Sequence, residues 1–314
     1  MDNGDRPTIS PQTNIRQTST GQTSTGQPVI GIIAGWGRFP VLVAEAARRQ
    51  GYRVVCVAIR DHADPVLEQV CDEVRWMGVA KFGGHLRFFR RHQVSQITLA
   101  GKLFKSQILF SGSLIWRHLP DWVCLRALAP LLLSRRRDTR DDSLLIRITD
   151  TYLSRGIQVR PATDFAPELL VKEGLLTRRP VPPTQQRDID FGWRIAKQMG
   201  GLDIGQSITV KDGTVLAVEA VEGTDACIER TGMLCKKGGW TLVKVAKPDQ
   251  DMRFDVPTIG PQTIARVRQA GGTAIAIEAD MTIVVDQEET VRAAEAAGVA
   301  IIALRQPAAA SAAA

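Results

Sequence analysis

The pattern of apolar and polar positions separates the chain into two regions. In the first, an apolar run over 29–34 leads through a glycine turn into an amphipathic stretch over 39–50, and a second apolar run over 53–59 follows directly. This order of strand, helix and strand is typical of a parallel sheet. A helical period over 83–92 and an apolar strand over 96–100 continue it. The pattern predicts an open α/β domain of the Rossmann-like type.

The second region has shorter elements in mixed order. It follows a stretch over 161–187 that contains five prolines, which is typical of a linker between domains. We therefore predict a second, smaller mixed α/β domain over 188–306, with a ligand cleft between the two domains. Its predicted helices cover 188–199 and 263–270, and its predicted strands cover 207–210, 215–222, 241–246, 274–278 and 282–285.

Both ends of the chain are predicted to lie outside the folded domains. Residues 1–27 are rich in Thr, Ser, Gly and Gln and contain a near-repeat of Thr-Ser-Thr-Gly-Gln, a composition that cannot build a core. Residues 307–314 are rich in alanine. We interpret both stretches as disordered tails, which leaves 28–160 as the N-terminal domain.

Composition and charge limit the classes of partner. The 314 residues have a formal net charge of +7, spread along the chain, which favours an anionic ligand or an anionic membrane surface. No aromatic and basic cluster resembles the base-stacking surface of a single-strand binder, so nucleic acid is not an expected partner. No signal peptide is predicted, and the five cysteines form no Cys-x-x-Cys pair. We expect a cytoplasmic protein with reduced, buried thiols.

Two interpretations of the segment over 103–145 stay open. Apolar residues alternate there with Arg117, Arg126 and the arginines of 135–137. A basic amphipathic helix of this kind can lie in a membrane interface or contact a lipid. It can equally pack on the core with its basic end in solvent.

Asp225 is the sharpest candidate for a catalytic group. It follows an apolar strand and the turn residue Gly223, and exposed turns at strand ends are frequent positions for catalytic and binding residues. The alternative is that Thr224 or Asp225 caps the helix that follows. The residue types alone do not decide between these interpretations.

A loop with a high density of mixed charge follows between 244 and 261. Its prolines exclude a regular helix or a central strand, and rigid prolines can fix polar groups in one constellation. Pyrophosphate cleavage needs cations against the phosphoryl oxygens and carboxylates that bind Mg²⁺ or orient water. The charged residues of the loop are Lys244, Lys247, Asp249, Asp251, Arg253 and Asp255.

A glycine turn after the first strand is a candidate anion site. Gly35, Trp36 and Gly37 precede a helix, whose N-terminal amides can bind a phosphate. Gly101 and Lys102 follow a neighbouring strand and would lie at the same crevice. The third glycine of the dinucleotide fingerprint is replaced by a proline, so the turn by itself is weak evidence for a nucleotide.

Several of these motifs, in this order and spacing, resemble the UDP-2,3-diacylglucosamine pyrophosphatase family of lipid A biosynthesis. That family is unrelated to the metallophosphoesterase-type enzyme of the same step. The resemblance extends over residues 30–304. It rests on the segments 31–40, 141–145, 202–206, 218–225 and 244–261.

The resemblance implies Mg²⁺-dependent hydrolysis of UDP-2,3-diacylglucosamine to 2,3-diacylglucosamine 1-phosphate and UMP, with water attacking the sugar-side phosphorus. It implies that Asp225 is essential, either as the ligand of Mg²⁺ or as the group that positions the attacking water. Peripheral contact with the inner membrane and a homo-oligomer are left open. The catalytic residues are then expected to be Asp225, Lys244, Lys247, Asp251, Arg253 and Asp255, and the substrate-binding residues Gly35, Trp36, Gly37, Arg38, Gly101, Lys102, Asp141, Asp142, Ser143, Thr224, Arg230 and Gln250.

The chain departs from the expected family pattern at Trp36, at Lys102 and in the long basic stretch 103–140. Two other functions remain as alternatives. One is a non-catalytic sensor that binds a nucleotide sugar or a lipid in the same cleft. The other is a Rossmann-type oxidoreductase, which the incomplete glycine fingerprint disfavours.

Overall fold

The computed structural model describes residues 26–102, 118–133, 141–254 and 256–305. The N-terminal part is built on a parallel five-stranded sheet in the order β3-β2-β1-β4-β5. Strands β2 and β3 are added on one side of β1, and the chain then returns to add β4 and β5 on the other side, as in doubly wound folds. The prediction of a Rossmann-like domain is confirmed. The strands are β1 (Val29–Ala34), β2 (Arg53–Ile59), β3 (Glu73–Met77), β4 (Gln96–Ala100) and β5 (Gln158–Val159).

Helices cover both faces of this sheet. Ile30 and Ile32 of β1 pack in one core cluster with α1, whereas Ile33 packs with Phe89 of α3 in a second cluster. Successive residues of a strand point to opposite faces, and both faces are buried here, which explains why the strands are continuous apolar runs. The helices are α1 (Phe39–Arg49), α2 (Leu67–Val70), α3 (Phe82–Arg91), α4 (Trp122–Leu133) and α5 (Asp141–Leu153).

The C-terminal part contains a six-stranded mixed sheet in the order β6-β13-β11-β9-β7-β8. Strands β9, β11 and β13 are parallel, and β7 runs antiparallel to β9 and β8. The strands are β6 (Gly174–Leu175), β7 (Ser207–Lys211), β8 (Thr214–Val218), β9 (Trp240–Lys244), β11 (Gly272–Glu278) and β13 (Ala300–Leu304), and a separate parallel pair is formed by β10 (Thr258–Ile259) and β12 (Ile283–Val284).

The helices of this part are α6 (Pro183–Gly201), α7 (Gly223–Leu234), α8 (Pro261–Gln269) and α9 (Gln287–Ala297). Helix α6 begins inside the stretch predicted as a linker, because a proline is well tolerated in the first helical turn. The same stretch also contains Ala162, Phe165 and Ala166, which are buried in the core of the N-terminal part. Helix α9 and strand β13 were not predicted from the sequence.

Specific contacts join the two parts. The guanidinium of Arg38, next to α1, lies 3.6 Å from the carboxylate of Asp286, which precedes α9. The hydrogen bonds from Arg253 to Asp251 raise the pKa of Arg253, and the charge of Asp150 on α5 raises it further. No helix within the described ranges is long and apolar enough to cross a membrane. Residues 1–25 of the predicted N-terminal tail (1–27) and the whole predicted C-terminal tail (307–314) lie outside those ranges. The same holds for residues 103–117 and 134–140 of the apolar-basic segment.

Candidate functional site

Asp225 lies at the start of α7, directly after the turn that leaves β8. Gly223 has a φ of +84°, a left-handed conformation that glycine adopts without strain. The carboxylate of Asp225 is in the first turn of the helix, and its side chain is 55% exposed. The helix dipole favours an anion at this end. No side-chain hydrogen bond caps this helix start among the described residues, so the capping interpretation finds no support.

Arg266 of α8 is the neighbour of Asp225 that the sequence did not indicate. Its Nε atom lies 3.4 Å from Oδ2 of Asp225, and its Nη1 atom lies 2.8 Å from Oε1 of Glu229. Asp225 and Glu229 are one helical turn apart on α7, so a single guanidinium contacts both. The spacing of the two acids is visible in the sequence, but the cation that joins them comes from another helix.

A buried polar network lies beside the start of α7. Lys244 Nζ donates to Thr224 Oγ1 over 2.8 Å, and Thr224 Oγ1 donates to Glu219 Oε1 over 2.8 Å. The strand register places Ser207 opposite Lys244, and the hydroxyl of Ser207 lies 3.4 Å from that of Thr224. Lys244 is only 6% exposed and Glu219 only 7%. Two predicted site residues, Thr224 and Lys244, are therefore in direct contact.

The motif over 202–206 packs against the chain at Glu219. A Cβ atom at residue 205 would lie 2.1 Å from the carbonyl oxygen of Glu219, so only glycine fits at Gly205. The backbone of Glu219 donates to the Ser207 carbonyl over 2.8 Å, and that of Val245 donates to the Gln206 carbonyl over 3.0 Å. These contacts fix the ends of β7, β8 and β9 relative to one another.

A largely buried ion pair fixes the chain where it leaves β9. Lys197 Nζ lies 2.7 Å from both carboxylate oxygens of Glu278 and also donates to the Ala246 carbonyl over 3.0 Å. Glu278 in turn accepts from the Ala246 backbone N–H over 2.8 Å. The charges are paired and bonded to backbone, as buried charges require. The pair was not predicted and supports the loop that follows.

In the charged loop after β9, the predicted residues pair largely among themselves. Arg253 donates to both oxygens of Asp251 at distances between 2.6 and 3.0 Å. These hydrogen bonds lower the pKa of Asp251, so its carboxylate is ionised and already has a partner. The guanidinium of Arg253 also lies 5.0 Å from the ring centroid of Phe254. Asp255 lies outside the described residues.

Lys247 and Gln250 of this loop also have local partners. Lys247 Nζ donates to Asp203 Oδ1 over 2.5 Å. The side chain of Gln250 accepts from the Lys247 backbone N–H over 3.4 Å and donates to the Phe254 carbonyl over 3.2 Å. These bonds connect the loop to the turn at Asp203 and give it a defined shape.

Arg230 closes the turn that precedes Asp225. It donates to the Val218 carbonyl over 2.6 Å and lies 2.8 Å from the carboxylate of Glu222. The predicted role for Arg230 was direct contact with substrate. Its bonds in the structure connect the two ends of the turn between β8 and α7, and its side chain stays partly exposed.

In the N-terminal domain, the glycine turn after β1 packs against the end of β4. The N–H groups of Gly35 and Trp36 donate to the carbonyls of Ala100 and Lys102, each over 2.8 Å. These two amides therefore have backbone partners, whereas the sequence suggested that they face an anion. A Cβ atom at residue 35 would lie 2.6 Å from the Lys102 carbonyl oxygen, and one at residue 101 would lie 2.8 Å from the backbone of Gly35.

Side chains beside this turn remain accessible. Trp36 and Lys102 are exposed, and Gly37 has a φ of +104°. Arg38 is 3.8 Å from Glu45 in addition to its contact with Asp286. The predicted residues Asp141, Asp142 and Ser143 begin α5, and their side chains lie outside the described part of the structure.

Comparisons with known proteins match both halves of the chain. Residues 29–169 match the family model of the LpxI N-terminal domain, and residues 172–302 match that of the LpxI C-terminal domain. The UDP-2,3-diacylglucosamine pyrophosphatase LpxI of Caulobacter vibrioides is 32% identical over 280 residues, which are 87% of this chain and 96% of that protein. The two models together cover nearly all of the described fold, in the order that the two sheets follow. The chain belongs to the LpxI family.

Proposed function

We propose that this chain hydrolyses UDP-2,3-diacylglucosamine to 2,3-diacylglucosamine 1-phosphate and UMP, at the start of α7. Family membership and the activity for which the Caulobacter vibrioides relative is named support the reaction. The observation that supports this location is the exposed carboxylate of Asp225 next to Thr224, whose hydroxyl binds the buried ammonium of Lys244. A helix N-terminus and a desolvated cation favour the same kind of ligand, a phosphoryl group.

The residues of the site divide the chemistry between them. Lys244 and the N-terminus of α7 stabilise the negative charge that grows on the phosphoryl oxygens as the anhydride bond breaks. Asp225 orients the water that attacks the sugar-side phosphorus. Lys247 and Arg253 lie in the adjoining loop, where they add positive charge near the pyrophosphate.

Asp225 also fits the role of a Mg²⁺ ligand. Mg²⁺ commonly binds through one or two carboxylates together with substrate phosphates and water, and an exposed carboxylate suits that pattern. The described residues contain no group of three His, Cys, Asp or Glu side chains that could hold a metal, so Asp225 would bind the ion together with the substrate. When bound, the ion would neutralise charge on the pyrophosphate.

The N-terminal domain is proposed to supply the other wall of the cleft. Arg38, Trp36 and Lys102 lie on the adjoining ends of β1 and β4, and Arg38 reaches the C-terminal domain at Asp286. A guanidinium and an exposed indole can bind a phosphate and stack on a base. These side chains, rather than the backbone amides of the turn, would contact the nucleotide.

Peripheral contact with the inner membrane is proposed for the N-terminal end of α4. Trp122 is 75% exposed, and Leu119 and Leu125 are also exposed large apolar residues. Arg126 is exposed on the same helix. Exposed apolar residues beside an arginine are typical of surfaces that bind anionic lipid, and a diacylated substrate resides in such a membrane.

Asp225→Asn tests the assignment of the catalytic carboxylate. We expect the variant to fold and to bind the substrate, with UMP release at least about a hundredfold slower. Glu229→Gln is the matched control, because Glu229 contacts the same Arg266 one turn away. It should release UMP at nearly the rate of the unaltered chain, and equal rates in both variants would contradict the assignment.

Hydrolysis in ¹⁸O-labelled water tests the point of attack. The label should appear in 2,3-diacylglucosamine 1-phosphate, since the water oxygen joins the sugar-side phosphorus. Label in UMP would contradict this step. Binding of intact substrate with no cleavage in the presence of Mg²⁺ would support the alternative of a non-catalytic sensor.

A further inference from the structure

Glu219 is a buried acidic residue that the proposed chemistry does not use. It directly follows β8, is 7% exposed, and accepts a hydrogen bond from Thr224 through Oε1. Its other oxygen, Oε2, is buried and has no hydrogen-bond partner in the part of the chain that the structure describes. A buried carboxylate with an unpaired oxygen destabilises a fold by about 1–3 kcal/mol unless another group compensates.

The ammonium of Lys244 lies on the other side of the Thr224 hydroxyl from Glu219. The Thr224 hydroxyl lies between the two charges: it donates to Glu219 and accepts from Lys244. A hydroxyl that is bound on both sides has one orientation, so the position of Lys244 Nζ depends on the carboxylate behind Thr224.

Stability alone is a poor reason for this arrangement. Burying two charges usually costs as much as their attraction returns. Another polar side chain of α7 is buried without any charge. The hydroxyl of Thr231 shares a buried hydrogen bond of 2.8 Å with that of Thr209 on β7. The charged network differs in that it reaches the helix start at which Asp225 lies.

We propose that Glu219 is a positioning residue that acts through Thr224 on Lys244. The inference rests on the proposed function, because it assumes that Lys244 contacts the pyrophosphate. Glu219 accepts the Thr224 proton, the Thr224 oxygen then faces Lys244, and the ammonium is fixed at the start of α7. No bond is made or broken by Glu219 itself.

Thr224→Val, Glu219→Gln and the double variant test this proposal. Valine has nearly the shape of threonine but has no hydroxyl, and glutamine removes the charge of Glu219. Each single change should lower kcat by about tenfold to a hundredfold, because a hydrogen bond to a charged group contributes an effect of about that size. KM should change less than about threefold. Because both residues act through one contact, the double variant should be no slower than the slower single variant by more than about threefold.

Two further variants separate positioning from simple loss of packing. Thr224→Ser keeps the hydroxyl and should restore kcat to within about threefold of the unaltered chain. Thr231→Val removes a buried hydroxyl from the same helix; it should lower the unfolding temperature and leave kcat unchanged. If Glu219→Gln does not fold, the contrast between valine and serine at position 224 still tests the Thr224 hydroxyl, without which Glu219 cannot act on Lys244.

Three results would overturn the proposal: full kcat in Thr224→Val, equal loss in the valine and serine variants, or fully additive losses in the double variant. Asp225→Asn separates this failure from failure of the proposed function. If that variant is inactive while the Thr224 and Glu219 variants turn over normally, only the positioning role is wrong. If Asp225→Asn is fully active, the proposed site itself is wrong.

Discussion

The two domains each bury a polar network, and the networks differ in charge and in completeness. In the N-terminal domain, the ring of His85 contacts the Tyr152 hydroxyl over 2.9 Å and the Gly78 carbonyl over 3.0 Å. Each polar atom of these two side chains has a partner. In the C-terminal domain, Glu219 and Lys244 are both buried, and one carboxylate oxygen of Glu219 has no partner among the described residues.

In our proposal, this difference separates a structural network from a functional one. Burial lowers the pKa of His85 to about 4 and raises that of Tyr152 well above its usual value. Both groups are therefore neutral at neutral pH, and burying a neutral group that is hydrogen-bonded costs little free energy. Burying an acidic and a basic side chain, as in the network around Lys244, costs more free energy. Substitutions should therefore impair folding in the first network and catalysis in the second.

Lys244→Met should have the largest effect on activity. Methionine preserves most of the length of the side chain but removes the ammonium that the proposed mechanism uses against the phosphoryl charge. We expect kcat/KM to fall by about a hundredfold to a thousandfold. Initial rates of UMP release measure this effect.

Lys211→Met is the control for Lys244→Met. Lys211 lies on β7 and donates to the Gly238 carbonyl, away from the start of α7. The substitution Lys211→Met removes the same charge from the same domain, so kcat/KM of this variant should stay close to that of the unaltered chain. A Lys244→Met variant that is as active as the Lys211→Met variant would show that the buried charge is not catalytic.

Gly101→Ala should have the largest effect on folding. Gly101 has a φ of +89°, and a Cβ atom there would lie 2.8 Å from the backbone of Gly35 and from the Pro40 side chain. Left-handed strain and the clash together should lower the free energy of unfolding by about 3 kcal/mol.

Gly51→Ala separates the clash from the strain. Gly51 has a similar φ of +85°, and a Cβ atom there would meet nothing within 4 Å. Only the strain, about 1 kcal/mol, should remain. Urea unfolding measures both variants, and equal losses would show that the close approach of the two strand ends contributes nothing.

The network at His85 should make folding sensitive to acid. The pKa of His85 is lowered from 6.5 to about 4 in the folded chain, so the unfolded chain binds the proton more readily. The contribution of His85 to stability is fully present above the pKa that this residue has in the unfolded chain. It is lost as the pH falls toward the pKa in the folded chain. Between neutral pH and about pH 5 the free energy of unfolding should fall by about 2 kcal/mol from this group.

His85→Gln removes that contribution and should flatten the acid side of the stability curve. His92→Gln is the control, since His92 is only partly buried at the end of α3. It should leave the curve unchanged. Urea unfolding at several pH values gives the comparison, and an unchanged slope in His85→Gln would assign the acid sensitivity to other groups.

The sequence predicted the features that depend on neighbouring residues. The βαβ order follows from runs that are buried on both faces, such as β1 and β2, and Asp225 stood out because a glycine turn precedes it. Contacts between distant residues could not be predicted. The amide of Gly35 donates to the carbonyl of Ala100, which lies sixty-five residues later in the chain. Glu219 is functional in our proposal only because Thr224 and Lys244 form one network with it.

Two elements at the end of the C-terminal domain were not predicted from the sequence. Helix α9 and strand β13 were missed, although Gly298, with a φ of +69°, ends α9 as glycine commonly does. The alanine-rich composition of α9 gives a weak apolar pattern, and β13 is stabilised by pairing with β11. The residues of β13 are nevertheless an apolar run of the kind that predicts β1, so the sequence did contain a signal for this strand.

Arg38→Ala should have the smallest effect, and it tests how the two domains meet. The ion pair between Arg38 and Asp286 is partly exposed, so its loss should change the free energy of unfolding by less than about 1 kcal/mol. If Arg38 contacts the nucleotide, KM should nevertheless rise severalfold. Asp286→Asn breaks the same pair but keeps Arg38, and asparagine tolerates the left-handed backbone at this position. Its KM should be unchanged or lower, because Arg38 is then released from a competing carboxylate; equal increases in both variants would mean that the ion pair, and not Arg38 itself, matters for binding.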